Sequence, residues 1–384
     1  DGEEIWIKLS DPDITTDDLG AVVEVMQSPL LGGGPAVASF ERSFAARLGR
    51  RHAIAVASGM IGMLLALRAH GIGPGDEVIA TPHSWRETPH AIALAGATPV
   101  FADIDYWAGT LVPAKAEAKI TPRTRAIIAA NPNGHPAPWN ELRDLAARHG
   151  LVLLEDSTEA IGSRYAGREV GSFGDCAVFD FSQPGPLVCG EGGMIVTDDD
   201  EIAARLRRHR ARRPEQRSSV VLGMTPPLQG EMSDIAAALG LTQLSRLDAI
   251  LAKRKIVERF YFEHVQSFEG IKDPYIAADV EEVHWFLYVV HLGTRFSRSS
   301  RDAIVEDLRT ERVEAAAYSV PLHLQRFYFE AGGYRRGSFP VTEKVADRAV
   351  ALPFHTHLTE EHVEFVVGTM KDASVNVGAG AAIY

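Results

Sequence analysis

Two hydrophobic periods alternate along the first half of the chain. Thr15 to Met26 carries apolar residues at helical spacing, with Thr15 or Thr16 as N-cap and Asp17 and Asp18 in the first turn. A glycine-rich turn over Leu30 to Pro35 precedes a second predicted helix, Phe40 to Leu48. Short apolar runs over His52–Ala57, Glu77–Ala80, Thr98–Ala102, Thr124–Ala130, Leu151–Glu155, Cys176–Phe181 and Gly193–Thr197 read as buried strands. Helical patterns over Ile61–His70, Pro89–Ala95 and Trp139–His149 lie between them. This βαβα rhythm predicts an α/β fold with a mostly parallel sheet covered on both faces.

The rhythm then changes. Glu201 to Arg212 reads as a basic helix, and Asp234 to Glu263 as a long amphipathic one leading into a second unit. That unit mixes a strand, Leu287–Leu292, with helices Ser300–Arg309 and Thr359–Lys371, an α+β pattern. The expected division is a large domain over 1–250 and a small C-terminal domain over 251–384. The tail from Ser374 to Tyr384 is small and apolar and is assigned no element.

Composition adds boundaries. The chain has 384 residues, of which 46% are hydrophobic, enough for a large core. Its net charge of -12, from 51 acidic and 39 basic residues, argues against nucleic acid as a partner. The two cysteines, Cys176 and Cys189, offer no disulfide framework or zinc spacing; buried reduced thiols are expected, with a bridge between them left open. No signal-peptide pattern and no membrane-spanning apolar run is read, so a soluble cytoplasmic protein is expected.

Several motifs stand in unbroken order from Leu9 to about Asp372. They are Leu30-Leu-Gly-Gly-Gly-Pro35 followed by Phe40-Glu41; Gly75-Asp-Glu-Val-Ile79; Glu155-Asp156 with Glu159-Ala-Ile-Gly162; Gly167-Arg168; and Gly171-Ser-Phe-Gly-Asp175. Gly190-Glu-Gly-Gly193, Val320-Pro-Leu-His323 and Leu352-Pro-Phe-His355 follow. Together they resemble the DegT/DnrJ/StrS-type sugar aminotransferases, enzymes that aminate keto-sugars with pyridoxal 5′-phosphate (PLP). The resemblance implies a fold type I aminotransferase-like large domain, a smaller α+β C-terminal domain, and a homodimer with shared active sites. It places Asp156 against the pyridine nitrogen, Trp85 against the ring, and Glu159 near the ring hydroxyl and substrate. Without the resemblance, Asp156 could instead cap the next helix, Trp85 lie in the core, and Glu159 be a solvated helix residue.

The departures from that pattern bear on the chemistry. The family's Schiff-base lysine stands five residues before Gly-Glu-Gly-Gly, and here that position is Gly185, which can form no covalent link to PLP. The family's phosphate cradle has a hydroxyl residue after Gly59, where this chain has Met60, and a serine where this chain has Asp180. The partner's asparagine and a nearby arginine correspond to Gln229 and Glu231. Two like charges about 4 Å apart cost on the order of 4 kcal/mol at an effective dielectric of about 20, so an ionised Asp180 disfavours a phosphate there. Asp156, Glu159, Asp180 and His83 are the candidate acid–base groups, with Ser182, Gln183 and His323 as further pocket residues. The expectation is therefore an enzyme that has lost lysine-dependent transamination and acts without cofactor on a small polar or sugar-like substrate. A non-covalent PLP or pyridoxamine-phosphate (PMP) enzyme of nucleotide-sugar or antibiotic biosynthesis is the alternative, and a non-catalytic binding subunit a third.

Overall fold

The computed structural model describes residues 5–85, 87–182, 184–211, 227–266 and 268–381. Helix α1 (Thr16–Met26) starts where expected, its first turn closed by Thr15, whose backbone N–H and hydroxyl both donate to the Asp18 carboxylate (2.8 and 3.0 Å). Helix α2 (Pro35–Leu48) starts five residues earlier than its apolar pattern predicts. The cause lies far along the chain: the Asp234 carboxylate accepts the N–H groups of Gly34 and Val37, capping the helix from outside. Strand β1 (His52–Val56) leads into α3 (Gly59–Ala69), with Ser58 as N-cap.

There follow β2 (Glu77–Ala80), α4 (Glu87–Leu94), β3 (Thr98–Phe101), α5 (Pro113–Glu117), β4 (Thr124–Ala130), α6 (Trp139–His149) and β5 (Val152–Asp156). Two short strands, β6 (Arg164–Tyr165) and β7 (Arg168–Glu169), precede β8 (Cys176–Asp180) and β9 (Gly193–Thr197). The large sheet has the order β1-β9-β8-β5-β4-β2-β3. Its neighbours run parallel except at β9, which is antiparallel to both β1 and β8. The sheet is thus mixed but mostly parallel.

Side-chain alternation along these strands feeds two cores. One face packs Ile54, Val56, Leu154 and Val178 against Leu64 and Leu65 of α3. The opposite face packs Ala55, Phe179 and Val196 against Phe40 and Phe44 of α2 and Leu247 of the long helix α8 (Asp234–Val265). The basic helix α7 (Asp200–Arg210) lies between β9 and α8 in sequence. Of the two thiols, Cys176 belongs to the first core and Cys189 to the second, and both are free. The expectation of no membrane-length apolar run needs correction: α8 is long and apolar enough to cross a membrane by length and composition. It instead packs against α1 and α2, its Leu244, Leu247 and Leu251 buried in the core.

The second unit contains β10 (Ile271–Lys272), β11 (Val280–Glu282), β12 (Tyr288–Leu292), α9 (Arg298–Thr310) and β13 (Ala316–Ala317). It ends with α10 (Arg326–Gly332), α11 (Pro340–Ala346), β14 (Ala349–Leu352) and α12 (Glu360–Ala381). Four strands form an antiparallel sheet, β10-β12-β14-β13, packed against α9 and α12 through Ile304, Leu308, Val363 and Val367. The unassigned tail continues α12 to Ala381, because Met370 and Ala373 are buried in this core. The halves are joined at several places. Strand β11 pairs with β6, and the N-terminal segment lies on the second unit through Ile7, which bridges to Val313.

Candidate active site

Strands β5 and β8 are parallel neighbours with Asp156 opposite Val178. The two-residue period of a strand then puts Asp180 on the same face as Val178 and Asp156, at the sheet edge where parallel strands end. Asp156 is 9% exposed. Its carboxylate accepts the Thr88 hydroxyl of α4 (2.8 Å) and the Thr158 N–H (3.2 Å). Burial raises its pKa and those donors oppose the rise, while the Asp180 charge adds to it.

Glu159 follows on a short 3₁₀ turn, Thr158–Ala160. It accepts the Asn133 N–H (2.6 Å) and the Tyr318 hydroxyl (2.8 Å). Burial pushes its carboxyl up to about 7 against those donors, with Asp156 adding to the rise. A carboxyl poised near neutrality can hold or release a proton at working pH. Asn133 has a φ of 51°, a left-handed conformation that asparagine tolerates. Its side chain accepts the Leu287 N–H (3.0 Å) and its carbonyl the Phe286 N–H (3.2 Å), which ties the site to the second unit.

Asp180 is held at the start of α3. One carboxylate oxygen accepts the Gly59 N–H at the start of α3 (2.7 Å). The other accepts the Ser182 N–H (2.8 Å) and the Ser182 hydroxyl. A Cβ at Gly59 would lie 2.7 Å from the Asp180 Cβ, so only glycine allows this approach. Among the described residues, no ion pair reaches Asp156, Glu159 or Asp180. The wall facing Gly185 is aromatic. A Cβ there would sit 3.3 Å from the Phe286 ring, which in turn meets Trp85 edge-on at 6.0 Å. Trp85 is 38% exposed, at the rim rather than in the core.

The structure thus brings together Asp156, Glu159, Asp180, Ser182, Gly59, Gly185 and Trp85. Others stand apart. His83 is buried behind Tyr318, their rings 5.6 Å apart, in a cavity of about 30 Å³ also lined by His135 and His291. Burial holds its imidazole down at about 4, so it is neutral and a poor acid–base group near pH 7. His323 is fully buried, its Nε2 on Glu343 (2.9 Å) and its ring against Phe339; it is a structural pair, not a cleft residue. The Met60 side chain packs on the α3 core instead of lining an anion site. Gln229 is exposed in a left-handed turn (φ 50°) and Glu231 half-buried. Gln183 lies outside the described residues.

Sequence reasoning missed Thr88, Tyr318, Asn133 and Phe286. The one local signal was the position of Tyr318, two residues before Val320-Pro-Leu-His323.

Comparison with known proteins follows the same outline. The sequence profile of the DegT/DnrJ/EryC1/StrS aminotransferase family matches residues 12–371. The spore coat polysaccharide biosynthesis protein SpsC of Bacillus subtilis is 33% identical over 377 residues, covering 96% of this chain and 97% of that protein. The structure of S. venezuelae DesV in complex with a ketimine intermediate is 34% identical with a TM-score of 0.85, over 93% and 94% of the two chains. The putative sugar aminotransferase Spr1654 of Streptococcus pneumoniae in its PLP form is 26% identical with a TM-score of 0.90, over 97% and 100%; a PMP form is also known.

These relatives overturn the expectation of a cleft without cofactor. The cleft agrees with that group at one end only. Asp156, buried and fixed by Thr88, suits a protonated ring nitrogen. At the phosphate end, the Gly59 N–H at the start of α3 is already bonded to Asp180, so a phosphate there would have to displace that carboxylate.

Proposed function

The chain belongs to the DegT/DnrJ/EryC1/StrS aminotransferase family, and from that premise we propose that it is a PLP- or PMP-using enzyme of sugar biosynthesis that holds its cofactor without a covalent lysine. The observation that carries this reading is the Asp156 carboxylate, clamped by Thr88 and Thr158 at the end of β5, close enough to Glu159 for its charge to help hold that carboxyl up at about 7. When bound, a pyridoxal cofactor supplies an electron sink for bond changes at a carbon bearing nitrogen. This chain's own contributions are separate. Asp156 orients and charges the ring, Glu159 holds a proton near neutral pH, and Trp85 with Phe286 shields the cleft from water.

Relatives with PLP- and PMP-form structures argue against a PLP-independent enzyme. SpsC and Spr1654 support a small sugar-like substrate. A homodimer with shared active sites is part of the proposal. It is supported by α1, which leaves Leu19, Val23 and Met26 exposed at 60%, 51% and 63%, a face a second copy would cover. The free thiols Cys176 and Cys189 support a cytoplasmic setting.

The test is titration with PLP and PMP, followed by absorbance, borohydride reduction and intact mass. Saturable cofactor spectra without a reduced protein adduct are expected. A stable adduct on any lysine, or no binding of either form, would refute the reading.

A further inference from the structure

Helix α3 is 11 residues long, and its first N–H groups form an electropositive end. The chain does not leave that end to solvent. Asp180 reaches across from the end of β8 and accepts the Gly59 N–H at 2.7 Å. Ser182 fixes the carboxylate in place, donating both its N–H (2.8 Å) and its hydroxyl to the second oxygen. The close approach is built into the sequence, since any side chain at residue 59 would collide with Asp180. Asp180 also stands near enough to Asp156 to raise its pKa.

We propose that Asp180 is a built-in competitor for the cofactor's phosphate, a specificity-determining residue that makes the cofactor exchangeable instead of permanently held. An incoming phosphate must take the Gly59 N–H from Asp180 and settle beside its displaced charge. Two of the donors that ordinarily reward a phosphate at a helix N-terminus are here engaged before it arrives, the Gly59 N–H by Asp180 and the Ile61 N–H by the Ser58 hydroxyl. With Gly185 offering no covalent anchor, neither end of the cofactor is fastened to the chain. A bound cofactor would then be held by reversible contacts alone. This rests on the reading under Proposed function and deepens it, by assigning how the cofactor is retained.

The experiment compares two ligands on two proteins. Dissociation constants are measured for PLP and for pyridoxal, its phosphate-free form, on the wild-type chain and on Asp180→Ser. Serine keeps a small polar side chain and removes the charge. Expected is a wild-type preference for PLP over pyridoxal of less than about tenfold. Asp180→Ser should bind PLP at least about tenfold tighter, corresponding to about 1.4 kcal/mol, with pyridoxal affinity changed less than about twofold. Gel filtration should strip PLP from the wild type and leave it on the variant. The wild-type ligand comparison stands even where the variant does not fold. Wild-type PLP binding more than a hundredfold tighter than pyridoxal, or a folded variant with unchanged PLP affinity, overturns the role of Asp180 and leaves the cofactor reading intact. Failure of both ligands on both folded proteins overturns that reading and this inference together.

Discussion

Tyr318 donates its hydroxyl to Glu159 across 2.8 Å, joining two residues 159 positions apart and from different halves of the chain. Its hydroxyl and the Asn133 N–H keep the carboxyl bonded while burial holds its pKa at about 7. The consequence is a site whose charge changes near neutral pH.

That shift sets a pH dependence of stability. Glu159 has a folded pKa of about 7 against an ordinary 4.5, so between those values the native chain holds a proton that the unfolded chain has released. Stability therefore falls as pH rises through this window, and the loss is complete above about 7. Glu159→Gln retains an oxygen acceptor for both donors and cannot ionise. It should be more stable than the wild type at pH 8 by about 1–3 kcal/mol, and the difference should vanish at pH 4. Urea unfolding across this pH range checks it.

Tyr318→Phe removes a donor without opening a large void. It should cost about 1–2 kcal/mol, more at pH 8 than at pH 6, since the lost partner is then a carboxylate. Equal losses at both pH values would show that Glu159 does not titrate here.

The Phe286 ring determines what residue 185 can become. Gly185→Ala should cost about 1 kcal/mol, because its Cβ meets the ring at 3.3 Å. Gly185→Lys should give no borohydride-stable PLP adduct by itself. The pair Gly185→Lys with Phe286→Leu frees room for the longer chain and should give one, read by intact mass. An adduct in the single variant would show that the ring yields easily.

Glu155, the neighbour of Asp156 on β5, points to the opposite face and is fully buried. Its oxygens accept the N–H groups of Gly171, Phe173 (3.0 Å) and Gly174 (3.1 Å) and the Ser157 hydroxyl (2.8 Å). Glu155→Gln places an amide donor against N–H donors. It should destabilise the chain by about 3 kcal/mol, measurable as a lowered urea midpoint with unchanged slope.

The sequence by itself determined the order and kind of the elements. Trp139–His149 and Gly193–Thr197 have the bounds that their periodicity predicts. Asp156, Asp180 and Gly185 could be singled out for the same reason: strand ends and motif spacing are local properties of the chain. What only the tertiary structure decided are the partners. Helix α2 begins at Pro35 because Asp234 caps it from α8. Glu159 is poised near neutrality because packing takes it out of water, against the lowering effect of the Tyr318 and Asn133 donors. Asp180 spends its charge on the Gly59 N–H, and His323 is taken by Glu343. Each of these depends on which groups are brought within hydrogen-bond reach and which are removed from water. Packing of the sheet and the two units sets that, and no window of neighbouring residues contains it.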